Sequence, residues 1–269
     1  MSKITLLFFL FSSFCSFSQE IVSVLKSREH NENISFKNLA SSKLTSFPFF
    51  DDFSNSNISN NNWTDRSILI NNSYAINPIS SGVATFDGLD SNGFAYDISV
   101  TNSYGIADYL TSREINISNL DSIFLMFFYQ PQGVGDFPQN QDSLVLEFLD
   151  DSLKWNRVWA VNGSSYHPFE KKVIFINDNK YLHQNFRFRF FNYATLSGNF
   201  DHWNLDYVLL DKFNSVSDTN ELNDVAFVGK HGSLLKRYTQ MPWKHFLNNE
   251  STELIDSIDI PIRNKHKPK

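Results

Sequence analysis

The chain has 269 residues, 41% hydrophobic and 19% charged, with a formal charge of −6, one cysteine and 27 Phe. Such a composition excludes a disordered chain, a disulfide scaffold and a collagen-like repeat, and a net negative charge argues against a nucleic-acid surface, which needs a basic footprint. An aromatic-cored globular protein of one or two domains remains.

Met1-Ser2-Lys3, the apolar run 4–11 and the small residues Ser16 and Ser18 read as a secretory signal over residues 1–18. The run is shorter than the roughly 20 apolar residues that span a bilayer, so no transmembrane segment is expected. Bulky Phe14 ahead of Cys15 argues against a lipid-anchored cysteine. Cleavage after Ser18 removes the only cysteine, so the exported protein folds in an oxidising place without a disulfide and relies on burial. The expected location is secreted or cell surface. Residues 19–46 are polar, lack a sustained period and read as a leader.

From 47 to 211, short aromatic and β-branched runs are punctuated by Asn, Asp, Ser and Gly, the spacing of strands and turns. Ile123 to Tyr129 is apolar on both faces, as in a central strand between two layers. Leu144, Leu146 and Phe148 alternate, with Glu147 outward. Phe186, Phe188 and Phe190 point one way, Arg187 and Arg189 the other. Strict alternation along 201–211 puts Trp203, Leu205, Tyr207 and Leu209 on one face, opposite Asn204, Asp206, Val208 and Leu210. The expected fold is all-β, a two-sheet antiparallel sandwich over 47–211.

Phe50-Asp51-Asp52-Phe53-Ser54 with Trp63, then Ala107 to Ser112, Leu125 to Gly133, Ser143 to Leu146, Trp155 to Gly163, Phe186 to Phe191 and Trp203 to Leu210 stand in an order that resembles the MAM-type modules of extracellular proteins. Gly82 to Asp97 and Asn192 to Val208 are similar to the N-terminal region of secreted Bacteroidota surface proteins, which use type IX secretion and gliding-associated adhesins. The resemblance implies a concanavalin-like jelly roll used for adhesion or glycan contact, without chemistry of its own. MAM modules usually carry disulfides and this chain has none, so the likeness concerns architecture.

No catalytic residue is assigned. Jelly-roll glycoside hydrolases need two carboxylates about 5 to 10 Å apart, and commonly carry E-x-D-x-x-E; Glu147-Phe148-Leu149-Asp150-Asp151 lacks that spacing. Neither G-x-S-x-G nor H-E-x-x-H occurs. A structural calcium is the metal candidate. Asp51 and Asp52 open the first strand and Asp206 lies on the last, where one hard cation joins the two in many sandwiches. For a glycan or cell-surface ligand, flat sugar faces stack on aromatic rings, and Trp155, Trp159, Tyr166, His202 and Trp203 are the candidates. A non-catalytic binding or adhesion module is thus expected; a glycoside hydrolase and a purely structural module are the alternatives.

Residues 212–269 form an irregular extension. Ser257 to Arg263 alternates like a strand but no partner follows it, which suggests the start of a truncated second β-module.

Overall fold

The computed structural model describes residues 46–55, 62–65, 67–220, 224–228 and 232–264. The expected signal and residues 19–45 of the leader lie outside them. Ten strands make the sandwich: β1 (Phe49–Asp51), β2 (Leu69–Asn71), β3 (Val83–Phe86), β4 (Tyr104–Thr111), β5 (Ile123–Pro131), β6 (Ser143–Leu149), β7 (Trp155–Asn162), β8 (Glu170–Ile176), β9 (Phe188–Thr195) and β10 (Trp203–Lys212). One sheet runs β2-β3-β10-β5-β8, with β1 also on β10, and the other runs β4-β9-β6-β7. Every pairing is antiparallel. The fold is the all-β sandwich that the alternating runs predict.

The core lies between the sheets. Leu125, Phe127 and Tyr129 of β5 and Trp203, Leu205, Val208 and Leu210 of β10 meet Leu144, Leu146 and Phe148 of β6 and Phe188 and Phe190 of β9. Phe127 and Phe190 meet edge to face, with ring centroids 4.9 Å apart, a geometry that suits the ring quadrupoles. Strand β5 is apolar on both sides because its other face is also covered. Met126, Tyr207 and Leu209 form a second, outer cluster with Ile79, which comes from the β2–β3 connection.

Polar side chains fasten that connection across the outer face of the six-stranded sheet. Gln130 accepts from the Ile76 N–H and donates to the Ile76 carbonyl, both at 2.9 Å. Gly133 has a φ of 63°, and a Cβ there would stand 2.1 Å from the Tyr74 carbonyl oxygen, so only glycine lets these two segments touch.

Strict alternation fails in β10. The ladder with β5 slips between Asp206 and Leu209, and Tyr207 takes a φ of 54°. The extra residue of this bulge reverses the side-chain parity. Trp203 and Leu205 therefore face the core together with Val208 and Leu210, while Tyr207 and Leu209 join the outer cluster.

The expected lone strand in the extension has a partner, but one that precedes it. Ile262–Asn264 (β12) pairs with Val225–Phe227 (β11). Phe227 and Ile262 stay exposed on this small hairpin. Among the described residues, no helix is long and apolar enough to cross a membrane.

Candidate functional site

The outer face of the four-stranded sheet carries half-exposed aromatic rings and arginines. Register fixes which side chains are neighbours. Thr111, Arg189, Glu147 and Arg157 form one cross-strand row; Tyr109, Phe191, Val145 and Ala160 form the next; Ile106, Tyr193, Ser143 and Asn162 form the third. Leu149 and Trp155 extend the face at one end, and Tyr104 extends it at the other, opposite Thr195. Directly opposed residues of antiparallel strands share a face, so these rings and charges lie side by side.

Contacts run along the face without a break. Tyr104 stacks on Tyr193 with centroids 6.4 Å apart, Tyr193 meets Phe191 at 5.6 Å, and Phe191 meets Tyr109 at 5.5 Å. The Arg189 guanidinium then lies 5.2 Å from the Tyr109 ring and 4.2 Å from the Trp155 ring, within cation–π range of both. Glu147 holds it there, accepting from Nε at 2.8 Å and from Nη2 at 2.6 Å. Both nitrogens converge on the one oxygen, Oε2, a charge-assisted contact that fixes the plane of the guanidinium. Trp155, Tyr109 and Tyr193 are partly exposed, and Tyr104 is 46% exposed. Burial raises the Tyr109 hydroxyl above the usual phenol range, against the pull of the Arg189 charge. The Tyr104 hydroxyl is raised too, by burial and then by Asp142 and Asp201.

Those two carboxylates are buried close to the Tyr104 end of the face. Asp142 accepts from the Gln139 N–H and Asp201 from the Thr195 N–H, while Oδ1 of each has no hydrogen-bond partner among the described residues. Burial first, and the Asp201 charge second, push Asp142 up to about 7.

Of the five expected ligand-binding residues, only Trp155 belongs to this face. Trp159 was expected beside it, but β7 bulges where Leu146 pairs with Trp159 and Glu147 with Arg157, so Val158 is the extra residue. Trp155 consequently points out, and Trp159 packs inward on Phe127 and Tyr129, each at 5.1 Å. Trp203 is a correction: it is 0% exposed and sits in the core within 6.4 Å of Tyr129, so its ring has no face to offer a ligand. His202 is a second correction. It is 2% exposed, stacks on Tyr74 at 5.1 Å and accepts the Asp136 N–H through Nδ1 at 2.9 Å. Burial lowers its pKa, and the ring serves as a pin between two loops. Tyr166 is 38% exposed in the β7–β8 loop, where its N–H donates to Gln132 at 2.8 Å. Sequence reasoning missed Tyr104, Tyr109, Phe191 and Tyr193, although the outward parity of Arg187 and Arg189 was a usable signal for the residues that follow on β9.

The calcium expectation is met by a different chemistry. The first strand does pair with the last, Phe50 opposite Leu209, but the carboxylates there already accept from protein donors. Asp51 accepts from the Trp63 indole at 2.6 Å and from the Phe53 N–H at 2.9 Å. Asp52 accepts from Ser54. Asp206 is wholly buried and accepts from the N–H groups of Ile79 and Ser80, at 2.8 and 2.9 Å, and from the Ser80 hydroxyl at 2.7 Å. Donors pointing at a carboxylate occupy the lone pairs a hard cation would need, so Asp51, Asp52 and Asp206 do not fit a shared calcium. Among the described residues, no group of three or more His, Cys, Asp or Glu is placed to hold a metal ion.

No family model matches the chain, and no curated protein matches it. Among solved structures it is similar to a cleaved adhesin domain of Lys-gingipain from Porphyromonas gingivalis, at 13% identity and a TM-score of 0.41, over 62% of this chain and 99% of that one. It is similar also to the CBM27-1 module of Caldicellulosiruptor saccharolyticus, solved in complex with mannohexaose, at 11% identity and a TM-score of 0.40, over 62% of this chain and 98% of that one. A third likeness is to the CBM22-1 xylan-binding domain of Xyn10C from Paenibacillus barcinonensis, at 9% identity and a TM-score of 0.33, over 61% of this chain and 92% of that one.

Proposed function

We propose that this chain is a non-catalytic module of an exported protein that binds a glycan on the outer face of its four-stranded sheet. One observation carries the reading: Trp155, Tyr109, Tyr193 and Tyr104 are partly exposed along a continuous aromatic path, with Arg189 and Glu147 set between the rings. Ring faces pack against the C–H faces of sugars, and the fixed arginine–carboxylate pair offers donors and acceptors to hydroxyls. Loop residues already cover the opposite outer face, that of the six-stranded sheet. The likeness of Gly82 to Asp97 and Asn192 to Val208 to Bacteroidota surface proteins supports export and a role in surface contact.

The test is binding and turnover on a panel of polysaccharides with the wild-type chain and the Trp155→Ala and Tyr109→Ala variants. Retardation by a glycan that both variants lose, without release of reducing ends, supports the reading. Retention unaffected by either variant contradicts it, and turnover contradicts its non-catalytic part.

A further inference from the structure

The charges on the same face name the class of glycan, on the reading that this face binds one. Glu147 stands directly opposite both Arg189 and Arg157 in the ladder. Its carboxylate is committed to Arg189. Arg157, exposed on β7, has no ion pair or hydrogen bond among the described residues. Arg187 reaches the same end of the sheet with its guanidinium 5.9 Å from the Trp155 ring, held by the Ser112 carbonyl at 2.9 Å and the Thr64 hydroxyl at 3.2 Å.

A second feature lies in this corner. Arg113, two residues beyond Thr111, carries a buried Nε with no hydrogen-bond partner, and its charge is felt by Arg187. Asp65 and Glu114 are the nearby acids, and Asp65 is bonded to the Thr111 N–H. Arg157, Arg187 and Arg189 thus lie on one face with Trp155, and Arg113 adjoins the Ser112 carbonyl that holds Arg187, in a chain whose net charge is −6. An unmatched guanidinium beside an exposed ring wants a planar or tetrahedral oxyanion, which it holds through parallel N–H donors.

We propose that the ligand is an anionic glycan, whose carboxylate or sulfate groups are held by Arg157 and the Arg113–Arg187 corner while a sugar ring stacks on Trp155. Arg157 is exposed and without partners, so its replacement leaves the fold intact, which a melting curve verifies.

The experiment is affinity electrophoresis of the full chain, with constants from calorimetry, on polygalacturonate, dextran sulfate, neutral glucomannan and polyglutamate. Binding to polygalacturonate alone assigns the carboxylate, and binding to dextran sulfate alone the sulfate. The expected result is that Arg157→Gln weakens such binding about ten- to a hundredfold, Arg157→Lys less, and raised salt weakens it in wild type. Binding to polyglutamate equal to that on the sugar polyanion overturns the proposal, since charge alone then suffices. Tight binding to glucomannan that Arg157→Gln leaves unchanged overturns it while the glycan reading stands. Binding to none of the panel overturns both.

Discussion

Asp206 is where two chemistries of the sandwich part company. Replacing it with Ala orphans the N–H groups of Ile79 and Ser80, which are buried against it. The Ser80 hydroxyl loses little, because the Asp52 carbonyl is also within 2.6 Å. Each orphaned donor costs about 1–3 kcal/mol. Burial pushes Asp206 itself up to about 7, so losing its charge returns part of that cost. A net loss of about 3 kcal/mol follows, which for a chain of this size lowers the melting temperature by roughly 10 °C. Asp206→Asn behaves differently. Its amide oxygen takes over the two N–H groups, and its NH2 donates to the Ser80 oxygen, whose own proton turns to Asp52. That variant should melt within about 3 °C of wild type near pH 7.5. Differential scanning calorimetry with and without chelator reads all of this. A chelator that lowers the wild-type melt, together with an Asn variant as damaged as the Ala variant, would refute the hydrogen-bond latch and restore the metal.

Stability should fall as pH rises. Asp142 and Asp206 are both pushed up to about 7 by burial, whereas an unfolded Asp titrates near ~4. Between those values the folded state binds more protons than the unfolded state, so stability is lost from about pH 4 to about pH 7. The melting temperature should drop by several degrees between about pH 5 and about pH 8, and Asp142→Asn should flatten part of that slope; a pH-independent melt speaks against the buried carboxyl pair. Trp203→Ala empties a fully buried site and should cost about 3–5 kcal/mol in urea unfolding, against less than about 1 kcal/mol for Trp155→Ala on the surface; equal losses would contradict the assignment of one ring to the core and the other to the face. Gly133→Ala places a Cβ against the Tyr74 carbonyl at positive φ and should cost about 2–4 kcal/mol by the same assay; wild-type stability would contradict the close approach.

Much of the sandwich was legible because alternation is a local property. Phe188 and Phe190 point inward and Arg187 and Arg189 outward as their period requires. Two bulges mark where that reading breaks. Around Tyr207 and Val158 one extra residue reverses parity, and pattern alone carries no sign of it. The misplacement of Trp159 and of Val208 and Leu210 shares this single cause. The carboxylates failed for another reason. Asp206 sits next to the first strand's end as a metal ligand would, but its donors come from Ile79 and Ser80, more than a hundred residues away. The path of Tyr104, Tyr193, Phe191 and Tyr109 depends on strand register between β4 and β9, which only the folded chain reveals.

The most direct measurement is of the indole N–H resonances of the five tryptophans during titration with whichever glycan the panel retains. The Trp155 signal should move in step with binding while those of the buried Trp63 and Trp203 stay in place. A titration that saturates with Trp155 unmoved, and shifts elsewhere, would contradict the assignment of the outer face of the four-stranded sheet as the binding surface.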